Sequence, residues 1–157
     1  MPVFATTNDP NNTRGQIVTN DGFYPDIQVD DFIEKNRTQD TIADGRLLQV
    51  LTTAMMDVNR ELKNWQAQQT LAGYTTLNDV PAIQYGNLSE LVHLYTVAVY
   101  ARAKAWLLEK WRDIDTTRPD GNKRANEFEN TVNDYEQEAR NAISAIMGQN
   151  MITVELI

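Results

Sequence analysis

Three stretches of this 157-residue chain place apolar residues at alternating steps of three and four, and Gly and Pro cluster between those stretches. The one run of apolar and β-branched residues best suited to a strand comes last, at 151–157. Together these observations predict an all-α fold: a helical bundle of three long helices plus a short N-terminal helix, with an extended N-terminal arm and a C-terminal β-strand tail. In chain order, 1–28 form the arm, 29–148 the helical domain and 149–157 the tail.

The arm is assigned because 1–28 is rich in Asn, Asp, Thr, Pro and Gly, has no helical period, and is punctuated only by Ile17-Val18 and Phe23-Tyr24. Asp30 is placed to cap a short helix carrying Phe32 and Ile33. From Thr41 the helical period sets in: Leu48, Leu51, Met55, Val58, Leu62 and Trp65 share one face. Thr41 with Asp44 resembles a capping box, and Gly73 is suited to end this first long helix in a left-handed conformation. Tyr74 to Gly86, with Pro81, reads as an ordered loop.

The second long helix begins at Asn87 or Ser89 and runs through Leu91, Leu94, Tyr95, Ala98, Ala101, Ala105 and Leu108 to about Arg112. Its Ala-rich stripe lets a neighbouring helix approach closely. Thr116-Thr117-Arg118-Pro119-Asp120-Gly121 breaks it. The third carries Ala125, Phe128, Val132, Tyr135, Ala139, Ile143 and Ile146 and stops at Gly148. The tail, Met151-Ile152-Thr153-Val154-Glu155-Leu156-Ile157, has strand character and no evident partner strand. A lone strand leaves its backbone donors and acceptors unpaired, so its sheet edge is expected in another molecule.

Composition bounds the function. With 41% hydrophobic and 23% charged residues, the chain suits one domain with a self-sufficient core. The absence of Cys excludes disulfides, thiolate metal sites and cysteine nucleophiles, and fits a reducing compartment. Neither a signal peptide nor a membrane span is expected, since no apolar run approaches the roughly 20 residues a bilayer requires. The sequons at Asn36 and Asn87 therefore carry no chemistry. Net charge is −8, and 14 basic residues against 22 acidic ones argue against general nucleic-acid binding. The acidic excess sits in the N-terminal 40 residues and on the third long helix, where Glu127, Asp134 and Glu138 lie off the apolar stripe.

Motifs with catalytic chemistry are scarce. The sequence holds no P-loop, no G-x-S-x-G, no H-E-x-x-H and no dinucleotide glycine fingerprint. Glu90-Leu91-Val92-His93 has the E-x-x-H spacing of di-iron carboxylate bundles, but those sites need a second such motif and His93 is the sole histidine. Paired acids such as Asp30-Asp31, and Asp113 with Asp115, read as helix-end charge. The expectation is a protein that is not an enzyme and has no metal, no cofactor and no catalytic residues.

Four further segments carry a resemblance. They are Phe23-Tyr24-Pro25-Asp26, the loop from Ala72 through Gly73-Tyr74-Thr75-Thr76-Leu77-Asn78-Asp79-Val80-Pro81 to Ala82, the stretch Leu108-Glu109-Lys110-Trp111-Arg112-Asp113-Ile114-Asp115-Thr116, and the basic Gly121-Asn122-Lys123-Arg124-Ala125. With the terminal strand, they resemble the head completion/stabilisation protein (GPL) family of Peduovirus-type contractile-tailed bacteriophages. The likeness runs from about Phe23 to Ile157, with the Ala72–Ala82 loop its most specific part; the arm before Phe23 lies outside it.

The resemblance implies a head-to-tail connector adaptor in the neck of the virion, assembled in the host cytoplasm. It implies a dodecameric ring of neighbouring copies beneath the portal protein, which helps close the DNA-filled head and meets a stopper or tail-completion protein below. On this reading Met151, Ile152, Thr153, Val154, Glu155, Leu156 and Ile157 are the portal-binding strand. Glu127, Asp134 and Glu138 are the candidate lining of a channel through which DNA passes without specific binding, because acidic side chains repel phosphate. No membrane is involved. The alternative from another class is a soluble helical module that recognises a single partner protein.

Overall fold

The computed structural model describes residues 15–36, 44–115 and 121–148, with the backbone alone described for 44, 111–115 and 121–128. Within these it is mainly helical: α1 (Val29–Asn36), α2 (Asp44–Glu61), α3 (Lys63–Leu71), α4 (Glu90–Asp115) and α5 (Gly121–Ile146). Two minimal antiparallel ribbons accompany the helices, β1 (Ile17–Val18) with β2 (Ile27–Gln28) and β3 (Gln84–Tyr85) with β4 (Leu88–Ser89). No helix among the described residues is long and apolar enough to cross a membrane.

The centre of the molecule is α4. Its 26 residues span about 39 Å at 1.5 Å per residue. Tyr95, Ala98, Val99, Tyr100, Ala101, Arg102, Ala103, Ala105 and Leu107 are all buried, so this helix is covered on every side rather than along one stripe. One side is taken by α2, through Leu47, Val50, Leu51, Ala54, Met55 and Val58. Another is taken by α5, through Ala139, Ala142, Ile143 and Ile146. Arg102 lies thirteen residues before the end of α4 and meets Glu136, fifteen residues after the start of α5, which makes the pair an antiparallel helical hairpin.

Two expectations are corrected. The first long helix is divided: Leu62, at φ −87° and ψ 1°, separates α2 from α3. The side chain of Leu62 stays fully buried, whereas α3 contributes no fully buried residue and touches the core through the half-buried Trp65. Residues 15–28, assigned from sequence to the arm, are packed on the body. Ile17 pairs with Gln28 and Val18 with Ile27, the Val29 amide extends the ladder to Gln16 at 3.1 Å, and Val18, Phe23, Tyr24 and Ile27 are buried in the core. The polar composition concealed this because four well-spaced apolar side chains suffice when a preformed helical surface receives them.

Smaller features follow similar logic. Asp30 does not cap α1; its Oδ2 accepts a bond from the Gly15 amide at 3.0 Å and closes the β1–β2 ribbon. The candidate capping box at Thr41 lies outside the described residues apart from Asp44, the first residue of α2. Gly148, at φ 68°, ends the last helix as expected, with its amide bonded to the Ala145 carbonyl at 3.1 Å.

Candidate protein-interaction site

Two of the segments that carry the family resemblance meet in space. The Leu77 amide donates to the Phe23 carbonyl at 2.8 Å, and Leu77 and Phe23 are both buried. Trp65 of α3 packs edge-on against Phe23 with ring centres 6.4 Å apart, and Tyr24 stacks on Tyr95 of α4 at 4.6 Å and 7°. An Asp21-Gly22 turn sets this up. Gly22 takes φ 94°, and Asp21 Oδ1 accepts bonds from the amides of Phe23 and Tyr24 at 3.0 and 3.1 Å.

Beneath that turn lies a closed ring of three side-chain hydrogen bonds. Asn20 Nδ2 donates to the Tyr95 hydroxyl at 2.7 Å, that hydroxyl donates to Asn59 Oδ1 at 2.6 Å, and Asn59 Nδ2 donates to Asn20 Oδ1 at 2.8 Å. Asn20 Nδ2 also donates to the Pro25 carbonyl, and the Asn20 backbone amide donates to Asp26 Oδ1. One residue of the N-terminal segment thus ties α2 and α4 together. Burial first of all pushes the Tyr95 hydroxyl well above the ordinary tyrosine range, so it stays a neutral donor at any physiological pH.

The Ala72–Ala82 loop is built from two local motifs. Gly73, at φ 102°, forms a Schellman end to α3: the Tyr74 amide reaches the Gln69 carbonyl at 3.1 Å and the Gly73 amide reaches Thr70 at 3.0 Å. Then Thr76 and Asp79 form a capping box around a single 3-10 turn, Leu77–Asp79. Asp79 Oδ2 accepts from the Thr76 hydroxyl at 2.8 Å, the Thr75 hydroxyl at 3.0 Å and the Thr76 amide at 3.1 Å. These donors, Thr76 first, hold its carboxyl below the ordinary carboxylate range.

Three further polar clusters join helices, whereas the buried Ser89 hydroxyl has no hydrogen-bond partner among the described residues. Arg102, 9% exposed, bonds Glu61 of α2 at 2.9 Å and lies 3.3 Å from Glu136 of α5, so one guanidinium links three helices. Asp31 of α1 accepts from the Tyr100 hydroxyl and from Lys35 at 3.0 Å. Partial burial works to raise the Asp31 carboxyl, but those two donors outweigh it and leave it below the usual range. Lys104 donates to the Asn36 carbonyl at 3.1 Å, at the last residue of α1. Each cluster is used in holding one element to another.

Of the residues singled out in sequence, Met151–Ile157 lie outside the described residues. Glu127 falls on α5 with its side chain undescribed, while Asp134 and Glu138 are exposed one helical turn apart on that helix. Glu90 is half-buried and His93 exposed, and no group of three or more His, Cys, Asp or Glu among the described residues is placed to hold a metal ion. Asn20, Asn59 and Arg102 escaped notice. An Arg inside the apolar run Val97–Ala105 was the available signal, because a charge buried among alanines requires a partner. Unnoticed too was a set of exposed apolar side chains, Leu71, Ile83, Tyr85 and Leu88, on α3 and the β3–β4 ribbon.

Comparison with known proteins supplies the context for this arrangement. The family model described as phage head completion protein (GPL) matches residues 18–157. The head completion/stabilization protein of Escherichia phage P2 is 33% identical over 141 residues, which cover 90% of this chain and 83% of the relative. No solved structure matches the chain significantly.

Proposed function

The chain belongs to the phage head completion protein (GPL) family and has a structural role in the virion, and from that premise we propose that it acts as a head-to-tail adaptor. Copies form a ring beneath the portal, help to close the DNA-filled head, and provide the surface on which a stopper or tail-completion protein docks. The observation that carries this reading is the extent of the match, which takes in the helical body and the tail together.

The physical organisation supports it. A ring must transmit load between portal and tail without deforming, and α4, enclosed by α2 and α5 and cross-linked by Arg102, is a stiff strut. In this reading Met151–Ile157 bind the portal by adding a strand to one of its sheet edges. The ribbons of the body are two residues long in each strand and offer a seven-residue tail little ladder to join, which favours an edge in another molecule. Glu127, Asp134 and Glu138 line the channel in the same reading, where their charge keeps DNA sliding rather than binding.

Deleting residues 150–157 provides the test. The truncated protein should keep the helical circular dichroism of the full chain and fail to attach to purified portal or to filled, tailless heads. Attachment by the truncated chain would refute the role given to the tail. Failure of the full-length chain to form a ring on those heads would refute the adaptor reading itself.

A further inference from the structure

The β3–β4 ribbon has one apolar face, and its register shows which way that face points. Tyr85 pairs with Leu88 and Gln84 with Ser89. The Glu90 amide donates to the Ile83 carbonyl at 3.0 Å and continues the ladder by one step, so Ile83, two positions from Tyr85, lies on the Tyr85 and Leu88 side. Ser89, on the opposite side, is buried. The Ser89 side therefore meets the body, and the other side turns away from it with Ile83, Tyr85 and Leu88 exposed at 59%, 62% and 44%. An aromatic and two aliphatic side chains gathered on one exposed face form a patch rather than scattered surface residues.

The last helix ends beside the base of this ribbon. Helix α4 starts at Glu90, directly after β4. Arg102 lies twelve residues beyond Glu90, about 18 Å along the helix, and meets Glu136. From Glu136 the antiparallel α5 returns ten residues, about 15 Å, to Ile146. The start of α4 and the end of α5 are thus level on two helices in contact, and Gly148 follows within a turn. Nine residues, 149–157, continue from there, and in extended form they reach about 30 Å, enough to cross the ribbon.

The chemistry of those nine residues suits the patch. Met151, Ile152, Val154, Leu156 and Ile157 are apolar, and Ile152, Val154 and Leu156 alternate, so an extended chain carries them on one side. Competing segments fit less well: 37–43 and 116–120 hold only Ile42 and Ala43 as apolar residues, and those of 1–14 lie ten or more positions before Gly15. The short tether gives residues 149–157 an effective concentration of about millimolar at the ribbon, which favours them over a separate molecule.

We propose that in the free chain residues 151–157 lie across the Ile83, Tyr85 and Leu88 face of the ribbon and cover it. The contact is side chain on side chain. It gives the segment no hydrogen-bond ladder, so a sheet edge on another molecule that supplies one draws the segment away, and the cover does not depend on the adaptor reading.

Paramagnetic relaxation in the full-length chain tests this. The sequence contains no Cys, so Thr153→Cys provides a single attachment point for a nitroxide, on the side of the strand opposite Ile152, Val154 and Leu156. The backbone amides of Gln84, Tyr85 and Leu88 should lose most of their signal while the nitroxide is oxidised and regain it on reduction. Tyr85→Ser with Leu88→Ser, both at exposed positions, removes the apolar contact but keeps the tether, and the loss should then shrink several-fold. Equal loss with and without the double substitution would show a segment merely tethered nearby, and no loss in either would put it elsewhere; both results would overturn the proposal. Loss seen only between a spin-labelled chain and a separate isotope-enriched one would assign the ribbon to a second copy and overturn it as well. Each result is obtained on the isolated chain, so it is distinguishable from failure of the adaptor reading, which is decided on filled heads.

Discussion

Tyr95 and Tyr24 stack on one another and are both buried, yet their hydroxyls have opposite circumstances. Tyr95 completes the ring with Asn20 and Asn59, whereas the Tyr24 hydroxyl has no hydrogen-bond partner among the described residues. Leaving a buried group unpaired costs about 1–3 kcal/mol, and removing an already unpaired hydroxyl costs nothing of that kind. Tyr95→Phe should therefore lower stability by about 1–3 kcal/mol, read as a shifted urea midpoint at unchanged slope, while Tyr24→Phe should be neutral or stabilising. Equal effects of the two substitutions would show that the ring does not act as described. Asp31 and Asp79 add a pH dependence. Both carboxyls titrate below their unfolded values, so their contribution is complete above the ordinary carboxylate range and is lost as pH falls through the folded values, below about pH 4. Asp79→Asn should be less stable than the parent at pH 7 and lose less on acidification; parallel acid transitions for the two proteins would contradict this.

At the scale of elements, the break at Leu62 decides how the molecule divides its labour. The periodic stripe of Leu48, Leu51, Met55, Val58, Leu62 and Trp65 was legible in sequence, as were the α4 start and the stop at Gly148, while 116–120, read as the break, lie outside the described residues. The division of that first stripe into two helices was not, because Lys63–Leu71 retains helical propensity and no Gly or Pro marks the break at Leu62. Gly73 is the hinge pin of this arrangement. At φ 102° any side chain is strained, although a Cβ would meet nothing within 4 Å, so the cost is conformational rather than steric crowding by neighbours. Gly73→Ala should destabilise by about 1–2 kcal/mol and raise protease sensitivity in the loop that follows. No change in thermal midpoint would mean that the Schellman turn is not required.

For the whole molecule, the distribution of charge matters more than its sum. Asp134 and Glu138 are exposed, Glu136 is turned inward to Arg102, and the segment 63–89 has no net charge along its sequence. If the α5 face lines a channel, Asp134→Lys with Glu138→Lys raises the charge of each copy from −8 to −4, since each replacement adds two. Rings carrying the double variant should retain DNA in the channel and slow its ejection, with the defect relieved by salt because the interaction is with phosphate. Normal ejection at low salt would place this face away from the DNA path. The alternative of a single-partner helical module gives no reason for such an effect.

The sequence by itself determined the helices, their apolar faces, the glycine stops and, through the loop at Ala72–Ala82, the family. These are local properties: a period, a cap or a turn is written in residues a few positions apart. Only the tertiary structure decided that Asn20 reaches Asn59 and Tyr95, that Arg102 joins three helices, that Phe23 and Tyr24 belong to the core, and that α3 meets the core through the half-buried Trp65 without adding a fully buried residue. Each depends on partners distant in the chain, and whether a polar or apolar side chain is satisfied there is set by the surfaces that packing brings to it. A period in the sequence cannot record that.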